Sequence, residues 1–360
     1  MKNAGGLPVL VCGEGLVAAR AYAMLAERGY PVRTVTRYET HMPAVGLIDC
    51  GVGLQPSFEN VMRALGQGVP VATTNALLMA VHGRVLSNAA RGQQAALMFG
   101  GALGVMQPMT GWLPMVGVQR LTLVVPEGAN AILQRMMQRD EEAHKAQLAL
   151  EAQGLNMANA AGKQTFVQGL ALHGLIDGAW VGPEAGVRSG LEVMSKGLVA
   201  QMRRFGLTPL YTVQVDAMGV RAGVVACVPT SPLMDGMTRE RAVVETTAGA
   251  QMMSRAVVAE EAMAQAVVTD MVEALQPARR MVGLGGFAAP LVGQYMVVGE
   301  YVQRHRVLEA GCVVLDEQMT GTGEWLAIVE APAMPTIASL MVMPVAGGFS
   351  AESVGLRLVG

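Results

Sequence analysis

An α/β fold is what the sequence predicts, on three observations. Over residues 1–115, short apolar runs alternate with helical patterns. The first apolar run, Leu7-Pro-Val-Leu-Val-Cys, feeds into a glycine turn, Gly13-Glu14-Gly15, that opens a helix. After Pro114 the alternation gives way to longer helices and paired strands, the pattern of an α+β region.

The elements follow in order. Leu16 to Arg28 places Leu16, Ala19, Ala23 and Ala26 at helical spacing, and Gly29 ends the helix. Pro31 to Thr36 is a β-type run. Ala44–Cys50, Val69–Thr73 and Ala95–Phe99 are further apolar strands, separated by helices at Ser57–Leu65 and Leu77–Ala90. Apolar strands joined by helices predict a parallel sheet covered on both faces. Val118–Val125 reads as a strand alternating at Leu121, Leu123 and Val125. Helices follow at Ala129–Gln138, Glu141–Gln153, Thr165–Leu175 and Pro183–Phe205. Strands Leu210–Ala217 and Val220–Pro229 flank a Met218-Gly219 turn, Val257–Leu275 is helical, and Pro277 to Pro290 marks a boundary. The tail carries strands at Gln294–Gly299, Cys312–Met319 and Trp325–Glu330, then a helix at Thr336–Val342. The expected domains are 1–115, 116–277 and 278–360.

Composition excludes several classes of function. With 52% hydrophobic and 15% charged residues, the chain is not disordered. A net charge of −2, with no basic run denser than Arg203-Arg204 or Arg279-Arg280, argues against nucleic acid or anionic membrane as a partner. The mean hydropathy of +0.37 raises the question of membrane spans. Ala95–Val118 and Met281–Gly299 are uncharged and long enough, but glycines and Pro108, Pro114 and Pro290 interrupt them, and no span is expected. Cys12, Cys50, Cys227 and Cys312 form no CxxC and read as buried thiols, and no secretory signal is visible at the start. A cytoplasmic protein is expected. Five histidines without HxH or HxxxH spacing predict no metal site, and the 27 methionines read as adaptable packing.

The glycine turn carries the chemistry. Gly13-Glu-Gly15-Leu16-Val-Ala18 fits G-x-G-x-x-[GA] between a strand and a helix. Gly13 permits the tight turn, Gly15 lets a pyrophosphate approach the backbone, Ala18 keeps the helix near the sheet, and the N–H groups from Leu16 onward hold the anion. This predicts a Rossmann-type nucleotide-binding domain. After the second strand, where an acid would take the ribose hydroxyls, the chain reads Thr36-Arg37. Arg37 suits a 2′-phosphate, favouring NADP over NAD; the alternative is a solvated strand-end residue.

Further along, Gly68-Val-Pro-Val-Ala-Thr-Thr-Asn-Ala-Leu-Leu-Met-Ala-Val-His-Gly83 resembles the homoserine dehydrogenases, in which a strand ends in threonine-alanine-asparagine-lysine and a helix follows. Ala96 to Pro108 is similar to that family's glycine-rich segment. Val125-Pro-Glu-Gly-Ala-Asn-Ala-Ile-Leu133 resembles its asparagine-glycine-threonine motif, and Val258 to Leu275 its closing helix. The resemblance covers most of residues 7–277 as a pattern. It implies NAD or NADP as cofactor, with Thr73 and Asn75 joining the cofactor site, an α+β substrate and dimerisation domain, and a homodimer paired through Val118–Val125 and Leu210–Pro229. The strand-rich tail weakly resembles an ACT-like domain, with a plain dimerisation domain as the alternative.

The residues that would carry the family's chemistry depart from the pattern. The lysine expected after Asn75 is Ala76. The acidic positions fall on Met157, Asn159 and Gln164, the catalytic lysine on Gln168, and Glu260-Glu261-Ala262 replaces a glycine-alanine-glycine turn. Cationic and anionic positions have become neutral together, which leaves no buried charge without its counter-ion. Lys163 is the one lysine near in sequence: either a solvated helix-start residue or a relocated catalyst. Two functions are therefore expected as rivals. One is a ligand- or partner-binding protein that keeps the nucleotide cleft but lacks homoserine dehydrogenase activity. The other is an NAD(P)-dependent oxidoreductase on a less charged substrate, with Lys163 or a pocket water handling the proton.

Overall fold

The computed structural model describes residues 6–125, 128–155, 162–234, 239–256, 260–276, 293–319, 324–331, 335, 337 and 340–346. The chain divides into two compact units. One comprises Met1–Val118, Phe166–Gly186 and Arg255–Phe287, the other Gln119–Thr165, Val187–Ser254 and Ala288–Gly360.

In the first unit, β1 (Val9–Cys12), β2 (Val32–Val35), β3 (Gly46–Asp49), β4 (Val71–Thr73) and β5 (Leu97–Met98) form a parallel sheet in the order β2-β1-β3-β4-β5. Every residue of β1, β3 and β4 is buried, as strands flanked by helices on both faces require. α1 (Leu16–Glu27), α2 (Leu54–Gly66) and α3 (Ala76–Gly92) are the crossovers. α1 sets Ala18, Ala21 and Leu25 against Val9, Val11 and Ile48. A later helix, α8 (Glu260–Ala274), brings Ala264, Val267, Val268 and Met271 to the same core. Burying Val267 or Met271 contributes about 1.5–3 kcal/mol each. α2 lies on the opposite face, where its Asn60 reaches the thiol of Cys12, the neighbour of inward Val11. Most of α6 (Lys163–Asp177) belongs to this unit, burying Leu170, Leu172 and Ile176.

The second unit is built on a large mixed sheet. Its strands are β6 (Val118–Val124), β7 (Val187–Arg188), β8 (Thr208–Asp216), β9 (Gly219–Cys227), β10 (Arg239–Thr246), β11 (Gly249–Ala256), β12 (Gly293–Glu300), β13 (Val313–Met319), β14 (Glu324–Ala331) and β15 (Met341–Ala346). They run in the order β11-β10-β6-β8-β9-β15-β12-β14-β13, with β7 beside β9. β6, β8 and β9 are antiparallel, with Leu121 opposite Val215 and Tyr211 opposite Val224. β15 joins the tail to them, pairing parallel with β9 at Val345 and Ala226 and antiparallel with β12 at Val342 and Val297. α4 (Ala129–Arg139), α5 (Ala143–Glu151), α7 (Lys196–Arg204) and the short α9 (Arg304–Glu309) complete the unit. Asn130 of α4 clamps Tyr211 of β8: its Oδ1 accepts the Tyr211 N–H at 2.7 Å, and its Nδ2 donates to Tyr211 O at 2.9 Å and Val125 O at 2.8 Å.

Two expectations are corrected. Pro183–Phe205 is not one helix: Val187 and Arg188 pair with Arg221 and Ala222 of β9, and α7 starts only after Ser195, which caps the Leu198 N–H at 3.1 Å. Gly186 and Gly190 interrupt the helical pattern there. Residues 341–342 are strand rather than helix, since Pro344 would sit inside a continuing helix whereas Met343 and Val345 alternate inward. Ala95–Val118, interrupted by its glycines and prolines as expected, is β5 followed by short 3₁₀ turns. No helix among the described residues is long and apolar enough to cross a membrane. Pro277–Pro290, Met157 and Asn159 lie outside the described residues.

Candidate functional site

The order β2-β1-β3 places a topological switch point between β1 and β3, and in open α/β sheets ligands bind beyond the carboxyl ends of the strands at such a point. Gly13 to Ala18 leaves β1 there. Gly13 has φ +127°, and a β-carbon on it would stand 2.8 Å from the Cys50 carbonyl carbon. Gly15 has φ +97° and would meet nothing within 4 Å, so the space above it is open. No side chain caps α1 among the described residues, leaving its first turn aimed at that space. Ala18 is buried in the sheet core, while Glu14 and Leu16 are exposed. The turn leaves room for an anion such as a pyrophosphate, and a side chain at Gly15 would project into that open space.

Beyond β3, the fully buried carboxylate of Asp49 organises the next loop. Oδ1 accepts from Ser57 Oγ at 3.1 Å and from the Gly51 N–H at 3.4 Å; Oδ2 accepts from Thr73 Oγ1 at 2.8 Å. Burial raises its pKa, opposed by the donors from Thr73, Ser57 and Gly51. Thr73 in turn accepts the Asn75 N–H at 3.1 Å. Asn75 caps α3 through the Leu78 N–H at 2.9 Å and donates to Gly51 O at 3.1 Å. Thr73 and Asn75 are therefore brought to the switch point, with their side chains engaged in holding Gly51–Val52–Gly53, whose Val52 is 98% exposed. Cys12 and Cys50 are buried, their thiols pushed up to about 11 and about 12 by desolvation, so neither is a ready nucleophile.

Arg37 follows β2 and is exposed. Its Nη2 lies 3.2 Å from Glu59 Oε2, and Arg63 Nη2 lies 3.0 Å from the same oxygen. Next to it, Tyr38 is fully buried, with its N–H on Asn60 Oδ1 at 2.9 Å and its hydroxyl on Gln67 Oε1 at 2.5 Å.

The glycine-rich segment after β5 is held from two helices. Asp270 of α8, buried and with its pKa raised to about 7 by desolvation, accepts the Gly101 N–H at 2.8 Å, with Gly100 and Gln107 also donating. Gln168 of α6 donates to Ala102 O at 3.3 Å. Ala76 is the first residue of α3, Gln164 is exposed, and Lys163 is exposed at the start of α6. Asp49, Asp270 and Glu59 were not singled out in the sequence. Asp49 was read as part of an apolar strand, and only Glu59 leaves a local signal, Gln55 and Arg63 at i−4 and i+4. No group of three or more metal-ligating side chains occurs among the described residues.

No protein-family model and no curated protein sequence matches the chain. Solved structures do. A homoserine dehydrogenase from Thiobacillus denitrificans superposes with TM-score 0.75 at 14% identity, covering 94% of this chain and 98% of that one. The fold is that of the homoserine dehydrogenases. The S. aureus homoserine dehydrogenase superposes with TM-score 0.77 at 15% identity, over 97% of this chain and all of that one. A hyperthermophilic archaeal homoserine dehydrogenase mutant, in complex with NADPH, superposes with TM-score 0.65 at 17% identity over 76% of this chain and 99% of that one. At these identities the homoserine dehydrogenase likeness is one of architecture, and the mixed α/β design with its five-stranded parallel sheet agrees with the expected fold class.

Proposed function

We propose that the protein binds a nicotinamide dinucleotide at the β1–β3 switch point and lacks homoserine dehydrogenase activity, serving instead as a ligand- or partner-binding homodimer. The observation that carries the first half is Gly15: a left-handed residue facing open space at an uncapped helix start. Leu16 to Ala18 supply N–H groups for the pyrophosphate. Thr73 and Asn75 act through the Gly51–Gly53 loop that they hold. Bound there, the dinucleotide would supply hydride chemistry to any substrate able to use it.

For the second half, support comes from Ala76 and Gln168, which stand where the resemblance puts proton-handling lysines. Neither ionises, and the Gln168 amide is engaged with Ala102. Homoserine is a zwitterion, and Gln164 offers no charge to its ammonium group. A positioned acid–base group contributes about 10²–10⁴-fold, so the loss of two removes most of the rate.

A thermal-shift titration with NADPH and NADH, alongside NAD(P)H formation from L-homoserine between neutral pH and about 10, tests both halves. The expected result is a nucleotide-dependent rise in Tm without homoserine-dependent reduction. Turnover of homoserine would return the ordinary enzyme reading to first place. Turnover confined to uncharged carbonyls and lost in Lys163→Ala would favour a relocated catalyst. Light scattering is expected to give a dimer mass; a monomer at every concentration would remove the assembly from the proposal.

A further inference from the structure

At the exit of β2 two guanidinium groups converge on one oxygen atom. Arg37 Nη2 and Arg63 Nη2 approach Glu59 Oε2 at 3.2 and 3.0 Å, while Gln55 Nε2 holds Oε1 at 3.3 Å. Arg63 also reaches back to Tyr38 O at 3.5 Å. The backbone carrying Arg37 is fixed, because buried Tyr38 is tied to α2 through Asn60 and Gln67, and Gln67 also donates to Thr40 O at 2.6 Å. These contacts bring an arginine of the β2 exit and an arginine one turn further along α2 to a single anionic point. Hydrogen bonds from Gln55 and Arg63, then the charges of Arg63 and Arg37, hold the Glu59 carboxyl below its ordinary range.

We propose that Glu59 is a built-in counter-ion which holds Arg37 and Arg63 in place as a two-armed receptor for the 2′-phosphate of a dinucleotide, and that its charge sets the selectivity for the phosphorylated form. This rests on the dinucleotide reading above. A phosphate monoester brings nearly two negative charges and three acceptor oxygens, which match two guanidinium forks better than one carboxylate does. The Glu59 side chain is 38% exposed and can swing into solvent, and exposed ion pairs of this kind are weak, so its displacement is cheap. Once displaced it remains near the phosphate and repels it. A dinucleotide without the 2′-phosphate leaves the triad undisturbed.

The experiment is a fluorescence titration of the full chain with NADPH and with NADH, in wild type, Glu59→Gln and Arg63→Gln, at low ionic strength. Glu59→Gln is expected to tighten NADPH about tenfold, the scale of one charge acting on a dianion a few ångströms away in water, and to leave NADH within about twofold. Arg63→Gln is expected to weaken NADPH about tenfold and spare NADH. Raised salt is expected to compress both differences. If Glu59→Gln leaves NADPH unchanged, or moves both nucleotides alike, the triad is ordinary surface pairing; the dinucleotide reading then stands and this proposal falls. If the wild type binds neither nucleotide, both fall together.

Discussion

The Gly101 N–H donates to Asp270 Oδ2 at 2.8 Å across 169 positions of sequence. The bond fastens α8 to the glycine segment after β5, and Gly100 and Gly101 permit it: a β-carbon on Gly100 would lie 2.8 Å from Asp270 Oδ1, and one on Gly101 3.2 Å from Val267. Gln168 grips the same segment at Ala102 O. The segment is thus held at its amide end by an acid and at its carbonyl end by an amide.

Asp270 makes stability pH-dependent. Desolvation raises its pKa from 3.8 to about 7, against the hydrogen bonds from Gly101 and Gln107. Between those values the folded protein keeps a proton that the unfolded chain has released, so stability falls as pH rises from about 4 to about 7. Thermal melts from pH 5 to 8 are expected to show Tm decreasing across this window, with a shallower slope in Asp270→Asn. Asp49 and Glu245, also raised by burial, keep the variant's slope from vanishing. Parallel slopes in the two proteins would contradict the assignment.

Gly13 and Gly15 separate fold from binding. Gly15→Val places its side chain in open space at positive φ, costing about 1–3 kcal/mol, and is expected to leave a folded protein without an NADPH-induced Tm shift. Gly13→Ala adds a collision with Cys50 to the same strain, and its cost should exceed that of Gly15→Val in urea melts. The reverse order would show that Gly13 does not pack against Cys50.

Asn130 is expected to be the costliest polar side chain of the second unit. Asn130→Ala leaves the Tyr211 N–H and carbonyl without their partner and costs about 2–4 kcal/mol. Asn130→Asp, which keeps the acceptor but sets a buried carboxylate oxygen against the Tyr211 and Val125 carbonyls, should cost at least as much. Urea midpoints of the two variants, with unchanged m-values, check this; a wild-type midpoint for Asn130→Ala would dismiss the clamp.

Restoring lysines should not create an enzyme. Ala76→Lys with Gln168→Lys adds charge without an ammonium-binding acid at Gln164, and L-homoserine oxidation is expected to stay undetectable. The Gln168 change should also lower Tm by releasing Ala102 O. Measurable NAD(P)H formation by the double variant would mean that the pocket's other residues suffice.

What could be read from the sequence was local. β1, the glycine turn and α1 lie within one stretch of chain, and their pattern survives intact from Leu7 to Glu27. The helix expected over Pro183–Phe205 failed because β7 is made by its partner, β9, and not by its own periodicity. β10 and β11 are signalled in the sequence only by Ala242-Val-Val and by the Thr246 to Gly249 turn, too short a pattern to predict a strand pair. α9 was missed despite Glu300 and Gln303, which form a capping box at its approach. At the site, Gly15 and Arg37 were legible by type and spacing. Asp49 and Asp270 were not, because a lone acid in an apolar run shows nothing of the amide groups that the fold brings to it.

β15 sits between β9 and β12, so among the described residues two groups of strands are joined in the sheet through it. Its partner β9 is made well before it, and β15 is the last described strand to leave the ribosome. Until then β7 covers the β9 edge only at Arg221 and Ala222, Ala226 and Cys227 lack their strand partner, and β12, β14 and β13 pair among themselves. Such late, long-range pairing is slow. A nascent chain would carry this part of the β9 edge without its partner from the completion of β9 until β15 is made, and in that interval the sheet is most exposed to edge-to-edge aggregation.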